Sequence, residues 1–223
     1  TSKFKEMKRL LFLHLAMIIT LITSDSLFAQ SGKKTLLFNG KNLKNWEFFL
    51  RENTADPSNV FTVKDGIIHI TGQPFGYMRT KKQYSDYLLH VEWRWPGEPT
   101  NSGIFVHVQK PDTIWPKCIE CQLKAGSAGD MVCMNGSDMN ERTDKSKRVV
   151  TKLAESSEKP AGEWNTAEIT CSGDKINIVI NGVQQNRGTG LNITGGHICL
   201  QSEGGPIEFR NVWLQPLQKT AKK

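Results

Sequence analysis

The chain has 223 residues, of which 38% are hydrophobic and 23% are charged, and its formal net charge is +7. This length suits one substantial hydrophobic core. The basic excess is spread along the chain, with local density only in "ERTDKSKR" and "QKTAKK". It is typical of a solvated surface and does not indicate a nucleic-acid-binding protein.

The first 29 residues predict a secretory signal peptide. Basic residues precede the apolar run "LLFLHLAMIITLI", and Ala29 supplies the small residue before a cut. The peptide would begin at Met7, with residues 1–6 upstream of it. The apolar run is shorter than the roughly 20 residues of a membrane-spanning helix, so a membrane anchor is the weaker alternative. We therefore expect an exported protein, periplasmic or extracellular, with no stable membrane anchor.

From Thr35 onward the pattern predicts strands and turns. Asp65-Gly66 and Asn181-Gly182 each separate two β-prone runs, which is a strong hairpin signal. "YLLHVEWRW" alternates apolar and polar residues, and "GIFVHVQ" sets one apolar face against a mixed one. No later segment has a helical period over three turns. The sequence predicts an all-β fold, a two-sheet antiparallel sandwich or jelly roll, as a single domain over residues 30–223.

One long segment departs from this pattern. Residues 124–163 are polar, rich in glycine and poor in apolar alternation. A long excursion of this kind in a compact domain is commonly functional or mobile. We expect an irregular segment here, in which the loop "KAGSAGDM", with Asp130, forms a wall of its own.

The cysteine count is odd, so at least one thiol stays unpaired within the chain. Cys118-x-x-Cys121 suggests zinc or a redox pair only superficially, because residues three apart in a strand point to opposite faces. No second pair completes a tetrahedral site. We expect the thiols mainly to pack in the core, with a disulfide as the minor alternative, and this applies to Cys118, Cys121, Cys133, Cys171 and Cys199.

Several strands carry polar side chains on one face, as the mixed face of "GIFVHVQ" does. The outer concave face of a curved sheet is a natural groove, and polar groups with aromatic rings suit the hydroxyls and C–H faces of a carbohydrate. Glu120 is the first candidate because it lies in the middle of the weakly polar run "CIECQL". His107 is the second, either as an outward polar group or as a hydrogen-bonded, partly buried structural histidine.

Motifs of other catalytic classes are missing. The sequence has no G-x-S-x-G elbow, P-loop, dinucleotide fingerprint or H-E-x-x-H. A retaining glycosidase of the sandwich type would bring two closely spaced carboxylates on one strand face. "CIECQL" has one acid, which disfavours that mechanism.

Seven stretches in order resemble the bacterial 3-keto-disaccharide hydrolase domain family, long known only as a domain of unknown function. They are "LLFNGKNLKNWE" (36–47), "FTVKDGIIHI" (61–70), "YSDYLLHVEWRW" (84–95), "NSGIFVHVQ" (101–109), "IECQL" (119–123), "GEWNTAEITCSGDKINIVINGV" (162–183) and "GGHICLQSEGGPIEFRNVWLQPL" (195–217). The resemblance implies a concanavalin-like jelly roll, export, and action on glycosides whose sugar is oxidised at C3.

The implied chemistry is an elimination. A 3-keto group acidifies the C2 hydrogen, so a base removes it, the C1 substituent leaves, and water then adds to the unsaturated sugar. This needs one general base and donors that stabilise an enolate oxygen. By the resemblance Glu120 is the base or a metal-binding carboxylate. His107 is the second catalytic candidate, and the predicted substrate-binding set is Asn101, Gln122, Gln201, Glu203 and Arg94. No cofactor is evident, and a divalent metal is left open.

Two departures from the family lie near this site. Many relatives have Arg where this chain has His107, and His-Gly where it has Glu203-Gly204. These departures put the substrate, the metal requirement and even the activity in doubt. The main alternative is a non-catalytic carbohydrate-binding, lectin-like module on the same fold, since fold alone does not decide function. A scaffold protein of the cell envelope is a more distant third interpretation.

Overall fold

The computed structural model describes residues 32–217 and shows two antiparallel sheets packed face to face. The predicted all-β sandwich is confirmed. The predicted signal peptide lies outside the described residues, so export stays a prediction.

The structure contains fifteen strands in residues 32–217. In chain order they are β1 (Thr35–Leu36), β2 (Trp46–Leu50), β3 (Phe61–Lys64), β4 (Ile67–Ile70), β5 (Gly76–Thr80), β6 (Tyr87–Arg94), β7 (Gly103–Val108), β8 (Cys118–Gln122), β9 (Met131–Met134), β10 (Val149–Val150), β11 (Asn165–Ser172), β12 (Lys175–Ile180), β13 (Val183–Gly188), β14 (His197–Ser202) and β15 (Ile207–Pro216). A 3₁₀ turn covers Pro57–Asn59. Within the described residues, no helix has the length and apolar character needed to cross a membrane.

The strands form an eight-stranded and a seven-stranded sheet. The larger sheet has the order β13-β12-β11-β6-β15-β4-β3, with β1 paired to β15. The smaller sheet has the order β10-β9-β8-β7-β14-β5-β2. Strands that are distant in sequence, such as β7 and β14, are therefore neighbours, and the site described below depends on this.

Both predicted hairpins are present. Asp65 and Gly66 join β3 to β4, and Asn181 and Gly182 join β12 to β13. All four residues have positive φ, between 50° and 81°. A two-residue turn of this type requires positive φ at both central positions, which Asn, Asp and Gly tolerate best.

The eight-stranded sheet has one face in the core and one at the surface. In β6 and β11 every second residue is buried, as the alternation in their sequences predicts. Trp93 and Trp95 fill the core between the sheets. Trp46 of the facing sheet joins them, and its Nε1 donates to the Leu37 carbonyl at 3.0 Å.

The middle strands of the seven-stranded sheet are buried on both faces, whereas its edge strands β2 and β10 are partly exposed. Every residue of β7 and β14 is buried. A second apolar cluster, here called the outer cluster, covers the face of this sheet that points away from the core. Its members are Tyr77, Phe105, Val108, Cys118, Val132, Met134 and Cys199, with Phe49 and Trp115 packed against it. The outer cluster forms a buried apolar layer on this face of the sheet.

Part of the segment 124–163 belongs to this sheet, so the expectation of an irregular segment is wrong there. Strands β9 and β10 lie within it. All four residues of β9 are buried, so its sequence "MVCM" has no polar alternation to reveal a strand. The five cysteines are buried and unpaired, which confirms their packing role.

Candidate functional site

Glu120 lies at the centre of β8, in the middle of the seven-stranded sheet. Its Cα is paired with Phe105 of β7 and Val132 of β9. The side chain points to the outer face and is only 4% exposed. Gly103 makes room for it, since a Cβ on Gly103 would lie 2.3 Å from Glu120 Oε1. A missing side chain on one strand thus creates the space for a carboxyl group on the next.

Glu120 lines a pocket of about 220 Å³ on this face. The lining residues are Asn101, Trp115, Glu120, Gln122, Val132, Met134, Arg148, Val149 and Glu203. Four of the residues predicted for the site, Asn101, Glu120, Gln122 and Glu203, are therefore brought together from β8 and two loops. A wider pocket near Asp86 and Gly196 has none of the predicted residues on its wall.

The environment of Glu120 favours its neutral form. Burial, followed by the neighbouring Glu203 carboxylate, raises the pKa of Glu120 to about 8, although the Arg148 guanidinium acts in the opposite direction. A carboxyl group with a strongly raised pKa in a pocket is a typical sign of a functional acid or base.

Glu203 follows β14 and faces the same pocket. Burial raises the pKa of Glu203, while hydrogen bonds from the Gln201 and Asn101 side chains lower it. The Gln201 amide nitrogen donates to Glu203 Oε2 at 2.6 Å. The side-chain oxygens of Asn101 and Gln201 are buried and find no hydrogen-bond partner within residues 32–217. Buried acceptors without donors are costly, so a ligand that brings donors is expected here.

The Thr-Asn-Ser-Gly loop before β7 holds this corner together. Thr100 Oγ1 accepts from the Gly205 amide at 2.7 Å, and Ser102 Oγ donates to the Gln201 carbonyl at 2.9 Å. These bonds connect the loop to the chain around Glu203. They explain why turn-forming residues introduce β7, since they place Asn101 beside Glu203.

Gln122 presents only one end of its amide to the pocket. Its Oε1 accepts from the backbone amides of Leu123 at 3.0 Å and Lys124 at 2.9 Å. The NH₂ group is the end left for a ligand. Gln122 can therefore act as a donor in a pocket that is otherwise rich in acceptors.

His107 does not line this pocket, and its position argues against the predicted catalytic role. Its φ is 56°, and the pairing of β7 with β14 shifts register nearby. This irregularity breaks the alternation, so Val108 joins Phe105 in the outer cluster, contrary to the predicted faces. His107 is fully buried, and its Nδ1 lies 3.0 Å from the Ile193 carbonyl. Burial lowers its pKa. Of the two interpretations of His107, an outward polar group or a buried structural histidine, the structure therefore supports the second.

Arg94 also lies away from the pocket. It belongs to β6 in the eight-stranded sheet, where its Nε donates to Glu208 Oε2 at 2.5 Å. Its guanidinium is 4.6 Å from the centre of the Trp164 ring. The prediction of a substrate-binding Arg94 is wrong for this pocket because β6 and β8 belong to opposite sheets.

Two residues of the pocket were missed by sequence reasoning. Trp115 lies in the loop between β7 and β8, and Arg148 lies directly before β10. The loop is tied to the sheet by Asp112, which accepts from Arg79. An aromatic residue in the turn-rich "DTIWPK" was a usable signal. Arg148 gave none, since it stands in a basic stretch that is typical of a solvated surface.

A comparison with protein families decides the membership of the chain. The model of the 3-keto-alpha-glucoside-1,2-lyase-like domain matches residues 33–215. The chain belongs to this family. None of the curated proteins matches the sequence significantly.

Solved structures share the fold of this 3-keto-alpha-glucoside-1,2-lyase-like domain. Two candidate glycosyl hydrolases from Parabacteroides distasonis align with TM-scores of 0.62 and 0.61, at 21% and 23% identity, over 83% of this chain and 94% and 100% of theirs. A carbohydrate-binding module, CBM66 from Bacillus subtilis, aligns with a TM-score of 0.57 at 7% identity, over 77% of this chain and 95% of the module. At these identities the likeness shows the concanavalin-like jelly-roll fold.

The pocket contains oxygen atoms of the kind that bind divalent metals. Residues 32–217 contain no group of three or more His, Cys, Asp or Glu side chains arranged to hold an ion. Glu120 and Glu203 supply carboxylate oxygens, and Asn101 supplies a carbonyl oxygen. Oxygen ligands of this kind suit Mg²⁺ or Ca²⁺ rather than zinc. We derive no catalytic step through a metal.

Proposed function

We propose that this member of the family is an exported enzyme that cleaves 3-keto-glycosides by removing the C2 proton, eliminating the C1 substituent and hydrating the product. The observation that carries the proposal is the Glu120 carboxyl group, which is buried in the pocket and has no side-chain cation bonded to it within residues 32–217. Such a group accepts and returns a proton near neutral pH, as this chemistry requires.

In the first step, ionised Glu120 takes the proton from C2. The electrons of the C2–H bond pass to the C3 carbonyl, whose oxygen becomes an enolate. The enolate then collapses to a C1=C2 double bond, the C1–O bond breaks, and its electron pair leaves with the aglycone oxygen, which takes a proton from water. The products are an unsaturated 3-keto sugar and a free alcohol.

In the second step, water adds across C1=C2. Its hydroxyl group bonds to C1, neutral Glu120 returns a proton to C2, and the remaining proton of the water neutralises the hydroxide left by the first step. The sum is hydrolysis of the glycoside, although water never attacks the intact bond. One carboxyl group serves both steps because its raised pKa lets it carry the proton between them.

The rest of the pocket suits one sugar ring. Its volume of about 220 Å³ is below the roughly 300–1,000 Å³ of typical small-molecule sites. A sugar hydroxyl could donate to the side-chain oxygen of Asn101, which lines the pocket and has no donor within the described residues, whereas Gln201 lies behind Glu203 and does not line the pocket. The half-exposed Trp115 offers an aromatic face for the C–H groups of the ring.

The decisive experiment compares a chromogenic 3-keto-glucoside with its unoxidised parent. Wild type, Glu120→Gln and the matched control Glu168→Gln are assayed with and without chelator. Glu168 is 46% exposed on the eight-stranded sheet beside His90. We expect release from the keto substrate only, lost by about 10²–10⁴-fold in Glu120→Gln and unchanged in Glu168→Gln.

The assays with chelator and with the unoxidised parent distinguish the proposed mechanism from other mechanisms. Loss of activity with chelator, restored by a divalent cation, would mean that a metal takes part. Release from the unoxidised parent would indicate ordinary two-carboxylate hydrolysis by Glu120 and Glu203, because the structure brings a second acid into the pocket that "CIECQL" alone did not supply. Export is tested by the mass of the protein from the periplasm, which should correspond to cleavage after Ala29.

A carbohydrate-binding module is the second candidate, favoured by the shared fold with CBM66. It predicts binding of unmodified glycans, no turnover of either substrate, and little change in Glu120→Gln. The raised pKa of Glu120 places the binding module second to the enzyme. A binding module has no need of a buried carboxyl group that lacks a cationic partner among the described residues.

A further inference from the structure

The proposed elimination places negative charge on the C3 oxygen, and the acceptor-rich pocket supplies few groups to stabilise it. Glu120 and Glu203 are carboxyl groups, and Gln122 is neutral. His107 was the second catalytic candidate from the sequence, but it is buried away from the pocket. A cation or a strong donor is therefore still needed at the ketone.

Arg148 is the one cationic side chain among the described residues that line the pocket. Its charge reaches both carboxyl groups, since it lowers the pKa of Glu120 and of Glu203. No ion pair ties it to either of them, or to another acid within residues 32–217. The guanidinium is near the reacting groups and is not neutralised by a partner.

The backbone of Arg148 is held while its side chain is exposed. Its carbonyl accepts from the Cys133 amide at 2.9 Å, and the next residue, Val149, is paired with Val132. Both valines also line the pocket. The edge of the seven-stranded sheet thus presents the guanidinium at the pocket wall.

We infer that Arg148 is a catalytic residue of the proposed elimination, and that its guanidinium donates to the C3 oxygen as the enolate forms. The inference rests on the proposed function. The C2–H electrons move to the C3 oxygen, the C2 proton moves to Glu120, and Arg148 keeps all its protons. Arginine suits this role because it stays charged at every working pH and offers several donors in one plane. The cation comes from the residue directly before β10, whereas His107 lies in β7.

The test uses Arg148→Gln, Arg148→Lys and Arg148→Ala, with Lys147→Gln as the matched control. Lys147 is the adjacent cation, 76% exposed and paired with Asp144. Two readouts are measured with the full chain: release from a chromogenic 3-keto-glucoside, and exchange of the C2 hydrogen in D₂O for a 3-keto sugar with no leaving group at C1. The second readout isolates enolate formation from bond cleavage.

We expect Arg148→Gln to lower kcat and C2 exchange together by about 10²–10³-fold, with KM changed by less than about threefold. The kcat of Arg148→Lys should lie between those of wild type and Arg148→Gln. Added guanidinium should restore part of the activity of Arg148→Ala. Lys147→Gln should match wild type, and all variants should melt at the wild-type temperature.

Two results overturn the inference while the proposed function stands. One is turnover by Arg148→Gln within about threefold of wild type. The other is a loss in Arg148→Ala that guanidinium does not restore and that comes with a lower melting temperature, which would indicate a structural role. If wild type neither releases the leaving group nor exchanges C2 hydrogen, the proposed function and this inference fail together.

Discussion

The surroundings of Glu92 on the eight-stranded sheet and the Glu120 pocket on the seven-stranded sheet differ in how their carboxyl groups are matched. On the eight-stranded sheet, Glu92 accepts from Arg210 at 2.6 Å and from Asn211 at 2.7 Å. Burial alone would raise the pKa of Glu92, but these hydrogen bonds lower it below its usual value. Glu208 also has side-chain partners, since it lies within ion-pair distance of Arg94 and His69.

On the seven-stranded sheet, Glu120 is more deeply buried and its pKa moves in the opposite direction. The nearby amide oxygens of Asn101 and Gln201 also lack donors within the described residues. A carboxyl group that is matched by side chains of the protein has little need of a ligand, whereas a pocket with unmatched polar groups has a reason to bind one. Polar side chains on a strand do not locate a site until their partners are known.

The pH dependence of activity should show the largest effect of this difference. If Glu120 is the base, kcat/KM for the keto substrate rises with pH and levels off above about pH 8. Because only the ionised form acts, the value at pH 6 should be about 100-fold lower than the plateau. A rate that falls between pH 6 and 8 would instead identify neutral Glu120 as an acid, and would contradict its assignment as base.

Substitution of Gly103 by alanine tests the space that admits the carboxyl group. The new Cβ would lie 2.3 Å from Glu120 Oε1, so Glu120 must move. We expect turnover to fall by about 10–100-fold, since small misplacements of reacting groups are costly. Gly97→Ala is the control, because nothing lies within 4 Å of a Cβ there. Equal activities of the two variants would show that the position of Glu120 is not critical.

The stability of the protein should depend on pH through Glu120. Its folded pKa of about 8 is above its ordinary value, so the folded state holds a proton that the unfolded state releases between about pH 4.5 and 8. The free energy of unfolding of wild type therefore falls as pH rises through this window. Relative to Glu120→Gln, we expect wild type to lose about 3.5 kcal/mol between pH 5 and 8, measured by urea unfolding. Parallel curves for the two proteins would contradict the raised pKa.

Arg94→Gln should have the smallest effect and should leave activity unchanged. It removes the hydrogen bond to Glu208, which is only 7% exposed, and the contact with the Trp164 ring. We expect a loss of about 1 kcal/mol in the free energy of unfolding, with kcat/KM within twofold of wild type. A large loss of turnover would mean that the matched face also takes part in function.

Much of the fold was predictable from local patterns. Turn dipeptides such as Asp65-Gly66 specify hairpins through their backbone angles, and the alternation of β6 follows from a sheet with one face in the core. Strand β9 was missed because a strand buried on both faces has no alternation to read. The same double burial concealed the covered face that holds the pocket.

The sequence alone also determined the family, and it pointed to Glu120 as the first candidate for the site, through the stretches around "IECQL" and the single acid at their centre. Only the tertiary structure decided which other residues join it. His107 was excluded by a local irregularity in β7, Arg94 by its sheet, and Arg148 was brought in by the strand order β10-β9-β8. Local sequence fixes backbone angles and side-chain faces, but which side chains meet across a sheet depends on pairings between distant strands.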